Sequence, residues 1–198
     1  MSAMKILGVI GSIFVFLGVL INFLTTFYLT DDFIVLCMYI SLLVFFIVGI
    51  ILVTISTSML SKQYGYSGIF NHYLTFGIVW VIAIIIPLIS PFLFTGLTVD
   101  TAIWVIFIVG LIVRCMYAAA AEFLSRSFNA ISSYSKVGIF KISGNLYVSG
   151  ALLIIVLYIV ASFLNAVYLP LIGAIFLLVA SILQFVAFGL LPKEGVRV

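Results

Sequence analysis

The chain has 198 residues, of which 67% are hydrophobic, 16% aromatic and only 7% charged, and its mean hydropathy is +1.52. An ordinary soluble domain draws about a quarter of its residues from Asp, Glu, Lys and Arg, so this composition argues against a soluble domain, a disordered chain and a secreted disulfide scaffold. Eight basic and five acidic residues give a net charge of +3. No basic run reaches the clusters of about four to eight cations that grip nucleic acid or anionic lipid strongly, so a nucleic-acid partner is not expected.

The fold class expected is all-α: an integral membrane six-helix bundle, one transmembrane domain over residues 1–198, with the N- and C-termini cytoplasmic. A membrane-crossing helix needs about 20 apolar residues. Between Lys5 and Asp31 no charge intervenes, which predicts a first span over about 6–29. Its length and its ending in Thr25-Thr26-Phe27-Tyr28 distinguish it from a cleaved signal peptide, whose apolar core runs about 7–15 residues. Asp32 and Lys62 enclose a second span, about 33–57, and a polar, aromatic loop from Ser61 to Gly68 follows. The third span is read over about 73–94, with Asn71 as its N-cap. The fourth runs over about 101–124 and contains Arg114.

Beyond it, Leu124, Phe128 and Ile131 keep helical spacing among serines. That pattern extends the fourth helix along the cytoplasmic interface within a segment of about 125–144, with Gly138 turning the chain back. The uncharged stretch 142–192 is too long for one span and right for two, about 145–165 and 169–191. Pro170 is pre-set for the first turn of the last helix.

Charge distribution sets the orientation. With the N-terminus inside, Lys5, Lys62, Arg126, Lys136, Lys141, Lys193 and Arg197 all fall on the cytoplasmic side, whereas the outer loops hold Asp31, Asp32 and Asp100. Tyr28, Trp104 and Tyr168 are expected as aromatic anchors at the outer interface, and Tyr73 and Tyr147 at the inner one. The location expected is the cell membrane, with the lipid bilayer as the principal partner.

Helices in lipid associate through small side chains. The first helix carries Gly8, Gly11, Ser12 and Gly18, with Gly8 and Ser12 a small-xxx-small pair and Gly11 and Gly18 nearly on one face. These form a candidate helix-packing face, either inside one bundle or against another membrane subunit.

Arg114 defies the composition. It lies about 20 Å along the helix from Thr101, where an arginine costs about 2.5–3.5 kcal/mol on insertion scales. Side chains lean toward their helix N-terminus, which aims Arg114 at the membrane centre rather than at the nearer water. Pro87 and Pro91 deprive the carbonyls of Ala83 and Pro87 of their usual donors. Arg114, Ala83, Pro87 and Pro91 are therefore the candidate intramembrane polar site, serving either as a wet anion or proton site or as a lock between the third and fourth helices. Helices three and six are candidate walls of a kinked cavity.

Glu122 is better spaced for Arg126, four residues on, than for Arg114. Asn22, Ser41, Thr54, Ser90, Asn165 and Gln184 are read as hydrogen-bonding groups between helices, and His72 as a solvated interfacial residue. Cys37 and Cys115 lie at different depths and read as free thiols. No metal ligand set, cofactor motif, intramembrane carboxylate pair, Walker sequence or triad-like grouping is present, and there is a single histidine. No metal, no cofactor and no enzymatic activity are expected.

Two stretches carry a family resemblance. One is Lys5-Ile6-Leu7-Gly8-Val9-Ile10-Gly11-Ser12. The other runs Arg126-Ser127-Phe128, Val137-Gly138-Ile139-Phe140, Gly144-Asn145-Leu146-Tyr147 and Ser149-Gly150-Ala151-Leu152. Together they resemble the archaeal domain-of-unknown-function 996 family of small multi-pass membrane proteins, over about residue 100 to the end. The resemblance implies the membrane class and an archaeal source, and no activity or catalytic residue comes with it. The function expected is that of a non-catalytic accessory or assembly subunit in a larger membrane complex. The alternative is a carrier or channel for a small solute or ion, with Arg114 and the Pro87/Pro91 bend at its centre.

Overall fold

The computed structural model describes residues 2–25, 32–93, 98–164, 166 and 169–192. It is built from six helices: α1 (Ala3–Thr25), α2 (Asp32–Tyr64), α3 (Gly68–Leu93), α4 (Val99–Ser135), α5 (Ile139–Leu164) and α6 (Leu171–Leu190), and no strand occurs among the described residues. Each contains a stretch long and apolar enough to cross a membrane. Helices apolar on nearly every side need a hydrocarbon surround or a large core, and 198 residues in six helices supply no large core.

The helices outrun the apolar windows, and the reason is physical. Composition marks where hydrocarbon ends, whereas a helix satisfies its own backbone groups in water too. So α2 continues through Ser61, Lys62 and Gln63, which the sequence reading gives to a loop. It stops at Gly65, whose φ of +67° places it in the left-handed region, and the Tyr66 N–H returns to the Ser61 carbonyl at 3.1 Å. That is the glycine-terminated helix end in which a 6→1 bond satisfies an orphan carbonyl. Helix α3 starts five residues before the expected 73, so Asn71 is not its cap; its N–H bonds to the Ser67 carbonyl inside the first turn. The segment after residue 124 is helical as far as Ser135, within one 37-residue α4. Lys136 (φ 61°) ends it in the left-handed region, and Gly138 lies in the short turn that follows, its carbonyl accepting from the Lys141 N–H at 3.1 Å. Helix α5 begins at Ile139, so residues 139–144 are its first turns rather than loop. Pro170 does sit at the entrance of α6, and its carbonyl accepts from the Ala174 N–H at 3.3 Å.

In space the helices form a ring in chain order. Each packs on its sequence neighbours, and α6 closes onto α1. The tightest core lies at the end of the ring that carries both termini. Met4, Leu60, Ile69, Phe128, Phe140, Phe188 and Leu191 are enclosed there, with Phe140 set edge-on to Phe188 at 5.0 Å between centroids and to Phe128 at 5.5 Å. Polar latches stitch the same end. Lys5 Nζ donates to the Leu191 carbonyl (2.9 Å), Ser56 Oγ to Met4 (2.8 Å), Ser127 Oγ to Ile69 (2.8 Å) and Ser143 Oγ to Ala180 (2.8 Å). The described cations other than Arg114, namely Lys5, Lys62, Arg126, Lys136 and Lys141, belong to this end, whereas Asp32 and Asp100 open helices at the other.

The small residues of α1 are filled from within the chain. A Cβ at Gly8 would run into the Phe188 ring, one at Gly18 into the Phe46 ring, and one at Gly11 would stand 2.7 Å from Val53 Cγ2. Ser12 is fully buried and donates to the Gly8 carbonyl at 2.7 Å. Helices α5 and α6 approach backbone to backbone at Gly150 and Gly173, where a Cβ on Gly173 would lie 2.8 Å from the Gly150 carbonyl oxygen. Of the expected interfacial aromatics, Trp104 is 66% exposed. Tyr73 and Tyr147 are buried instead, because their faces of α3 and α5 point into the ring, and Tyr28 and Tyr168 lie outside the described residues.

Candidate functional site

The ring surrounds a cavity of about 440 Å³, and all six helices contribute to its wall. Helices α3 and α6, the candidate walls, are both among them. On α3 the lining positions are Tyr73, Phe76, Trp80, Ile84 and Pro87, spaced three and four apart as one helical face must be. On α4 they are Val113, Arg114, Tyr117, Ala121 and Leu124, again a single stripe. Val15 and Val19 of α1, Phe46 of α2, Tyr147 and Ile154 of α5, and Leu177 and Gln184 of α6 also line this partly open cavity. Phe46 and Trp80 stack at 4.2 Å between centroids, so aromatic faces rather than polar groups form most of the wall between α2 and α3.

Among the described residues, Arg114 is the one charged side chain in that wall. Its Nη1 donates to the Gly110 carbonyl on the preceding turn at 2.8 Å, which fits the lean of helical side chains toward the N-terminus. Its Cζ lies 3.5 Å from the centroid of the Tyr158 ring on α5, and Tyr158 stacks in turn on Phe107 at 5.7 Å and 14°. A cation held this way over an aromatic face gains about 2 kcal/mol when desolvated. Gly110 makes the arrangement possible, since a Cβ there would stand 2.5 Å from Tyr158 Oη and 3.2 Å from Arg114 Nη1. The guanidinium Nε is enclosed and has no hydrogen-bond partner. The ion pair found among the described residues lies elsewhere: Arg126 Nε to Glu122 Oε1 at 2.9 Å, exposed and spaced i,i+4 as expected.

The other residues of the expected polar site fall as follows. Pro87 lines the same cavity as Arg114. Ala83 is fully buried in α3, and position 91 is within α3 but its side chain lies outside the described residues. The described Arg114 contacts are the Gly110 carbonyl on α4 and the Tyr158 ring on α5.

A second polar feature borders the cavity. Gln184 is 1% exposed, its Oε1 accepts from the Tyr147 hydroxyl at 2.9 Å, and its Nε2 has no partner. The sequence reading takes Gln184 as an interhelical hydrogen-bonder and Tyr147 as an interfacial anchor, and does not bring them together. The signal available was Gln184 itself, the only amide in the otherwise apolar α6.

His72 is half-buried and stacks against Phe123 at 6.5 Å. Cys115 is an exposed free thiol, and the Cys37 side chain lies outside the described residues. Among the described residues no three His, Cys, Asp or Glu side chains come together as a metal site would need.

Comparison with known proteins places the chain. The family model described as "Protein of unknown function (DUF996)" matches residues 45–182, so the likeness begins well before residue 100 and leaves the Lys5–Ser12 stretch outside it. An uncharacterized protein of Methanocaldococcus jannaschii is 28% identical over 155 residues, covering 75% of this chain and 80% of that protein. No solved structure matches the chain.

Proposed function

Since the chain belongs to the DUF996 family, for which no activity is described, we infer its function from its own geometry: a multi-pass membrane protein that binds and carries a small, largely apolar solute bearing an anionic group. The observation that carries this reading is the cavity of about 440 Å³, walled by all six helices, with Arg114 as the one charged side chain among its described lining residues. An apolar pocket with a few convergent polar groups is the usual form of a small-molecule site. A cation at membrane depth is a marker of function by default. The bilayer is the medium of this reading. The lysines and Arg126 gathered at the end with both termini support a cytoplasmic position for that end in the cell membrane. The reading involves no catalysis, metal or cofactor.

The competing proposal, an accessory subunit of a larger membrane complex, draws on short loops and scarce polar chemistry. Its third support, the small-residue face of α1, is occupied within the chain by Phe188, Val53 and Phe46.

Binding decides between them. In lipid nanodiscs, after subtraction of empty discs, tetradecanoate is expected to bind saturably and tetradecanol more weakly. Arg114→Met should lower tetradecanoate affinity roughly tenfold or more, the value of a hydrogen-bonded charge contact. Absence of saturable binding, or binding indifferent to Arg114→Met, refutes the carrier reading. Co-purification of a stoichiometric membrane partner from native membranes together with that negative result would establish the subunit.

A further inference from the structure

The seam between α2 and α3 is the loosest in the ring. Residues 65–67 alone link the two helices, a length that makes them antiparallel neighbours, yet they pack least closely of the six neighbouring pairs. Glycines show the difference. A Cβ on Gly49 would stand 2.8 Å from the Val15 nitrogen, so α2 lies backbone to backbone on α1, and one on Gly144 would stand 3.0 Å from Ser125 Cα, so α5 lies close on α4. At Gly77 of α3 a Cβ would meet only Ile50 Cγ2 of α2, at 3.1 Å. The latches of Ser56, Ser127 and Ser143 hold α1 to α2, α3 to α4 and α5 to α6.

One turn beyond Gly77 the loose seam is filled by rings. Phe46 and Trp80 stack across it at 4.2 Å and 23°. Phe46 is buried, seated where a Cβ on Gly18 would stand, and Trp80 is half-buried. Both line the cavity, as does Pro87 farther along α3, which is exposed as well. The cavity wall and the outer surface of the bundle therefore meet on this helix. Near the stack the exposed side chains are Val44 and Ile47 on α2 and Ile78 and Ile82 on α3, which suit hydrocarbon rather than water. Inward, Trp80 meets the Tyr117 ring at 6.3 Å, and Tyr117 lies three residues from Arg114 on the cavity stripe of α4. A ring swings about its own χ angles, whereas a backbone contact opens only if two helices part.

We propose that the solute enters the cavity sideways from the bilayer, between α2 and α3, with the Phe46–Trp80 stack as the door. The inference rests on the carrier reading above and narrows its substrate class to amphiphiles dissolved in the membrane, whose apolar body crosses the seam while the anion arrives at Arg114. Phe46 and Trp80 then govern how fast the solute enters and leaves, and Arg114 how tightly it is held.

The test closes the seam. In a background of Cys37→Ala, Cys115→Ala and Trp104→Phe, the pair Ile50→Cys and Gly77→Cys sets two thiols where a Gly77 Cβ would stand 3.1 Å from Ile50 Cγ2, within the reach of a disulfide. Neither residue is part of the cavity wall. Nanodiscs holding the protein are mixed with 9,10-dibromotetradecanoate, whose bromines quench Trp80 from within the cavity. The signal is the saturable quenching that Arg114→Met abolishes. Oxidation of the pair should slow filling and emptying about tenfold or more, within the range of association rates among variants of one site, and leave their ratio, the affinity, unchanged; reduction should restore both rates. Equal rates in the oxidised and reduced protein overturn the side entry and leave the carrier reading standing. Phe46→Leu covers the case in which the pair does not close. It should quicken association as well as dissociation, about threefold or more, and association at the background rate would make Phe46 a wall contact only and overturn the door. If the background protein shows no Arg114-dependent signal, the carrier reading fails and the side entry with it.

Discussion

Replacing Arg114 by Met separates a charge that holds the bundle together from one that serves the cavity. In the wild type the guanidinium carries an insertion cost of about 2.5–3.5 kcal/mol. Against it stand the Tyr158 face at 3.5 Å, about 2 kcal/mol when desolvated, and the Nη1 bond to the Gly110 carbonyl at 2.8 Å, about 1.5 kcal/mol for a charged donor. The substitution removes all three terms, and they nearly cancel. Arg114→Met is therefore expected to unfold in mild detergent within about 1 kcal/mol of wild type, or about 2–4 °C in Tm for a chain of this size. Removing the partner instead leaves the charge uncompensated. Tyr158→Leu should cost about 2 kcal/mol or more, and that loss should shrink by about 1–2 kcal/mol when Arg114→Met is already present. Thermal unfolding of the four proteins, wild type, two single variants and the double, completes the cycle. A fall of about 10 °C or more in Arg114→Met alone would refute the reasoning, because it would make the arginine a structural lock.

Two further predictions address packing and topology. Gly173→Ala sets a methyl 2.8 Å from the Gly150 carbonyl and 2.9 Å from the Ile154 nitrogen, backbone atoms that yield only if α5 and α6 part. It should cost about 1–3 kcal/mol, while Gly138→Ala, with nothing within 4 Å, should leave thermal stability unchanged or slightly higher; equal Tm values would contradict the close approach. In a background with Cys37 and Cys115 replaced by Ala, thiol labelling of Thr98→Cys and Lys136→Cys, both exposed positions, should proceed from opposite membrane faces, with Lys136→Cys on the cytoplasmic one. Labelling of both from one compartment would sink the six-span orientation.

The fold was more legible than the site, for reasons visible in particular residues. The number and order of helices follow from charge-free stretches such as 142–192, because hydrocarbon sets a minimum length that sequence reports directly. Helix ends were less legible. Ser61, Lys62 and Gln63 look like loop only if the edge of the membrane is mistaken for the edge of the helix, and Gly65 was the better marker. Arg114 declared itself by composition, but its neighbour on α5 did not. Tyr158 looks like any other aromatic until the ring of helices brings it beneath the guanidinium. Tyr147 misled, because a tyrosine near a helix start suits an interface as well as a hydrogen bond to Gln184. The cavity had a sequence trace only in retrospect, as the aromatic stripe 73, 76, 80 on α3. Such a stripe equally describes a packed core, and which one it becomes depends on five other helices.

That dependence bears on what the cavity is for. The end of the bundle with both termini is closed by interlocked phenylalanines and latched by serine hydroxyls, so the chain can pack tightly where packing is all that is required. Farther along the same helices the ring forms a partly open cavity of about 440 Å³. Water is a poor occupant, since it needs two to four polar partners and most of the wall is aliphatic or aromatic. On the carrier reading, an apolar body lies against that wall and its anion meets Arg114.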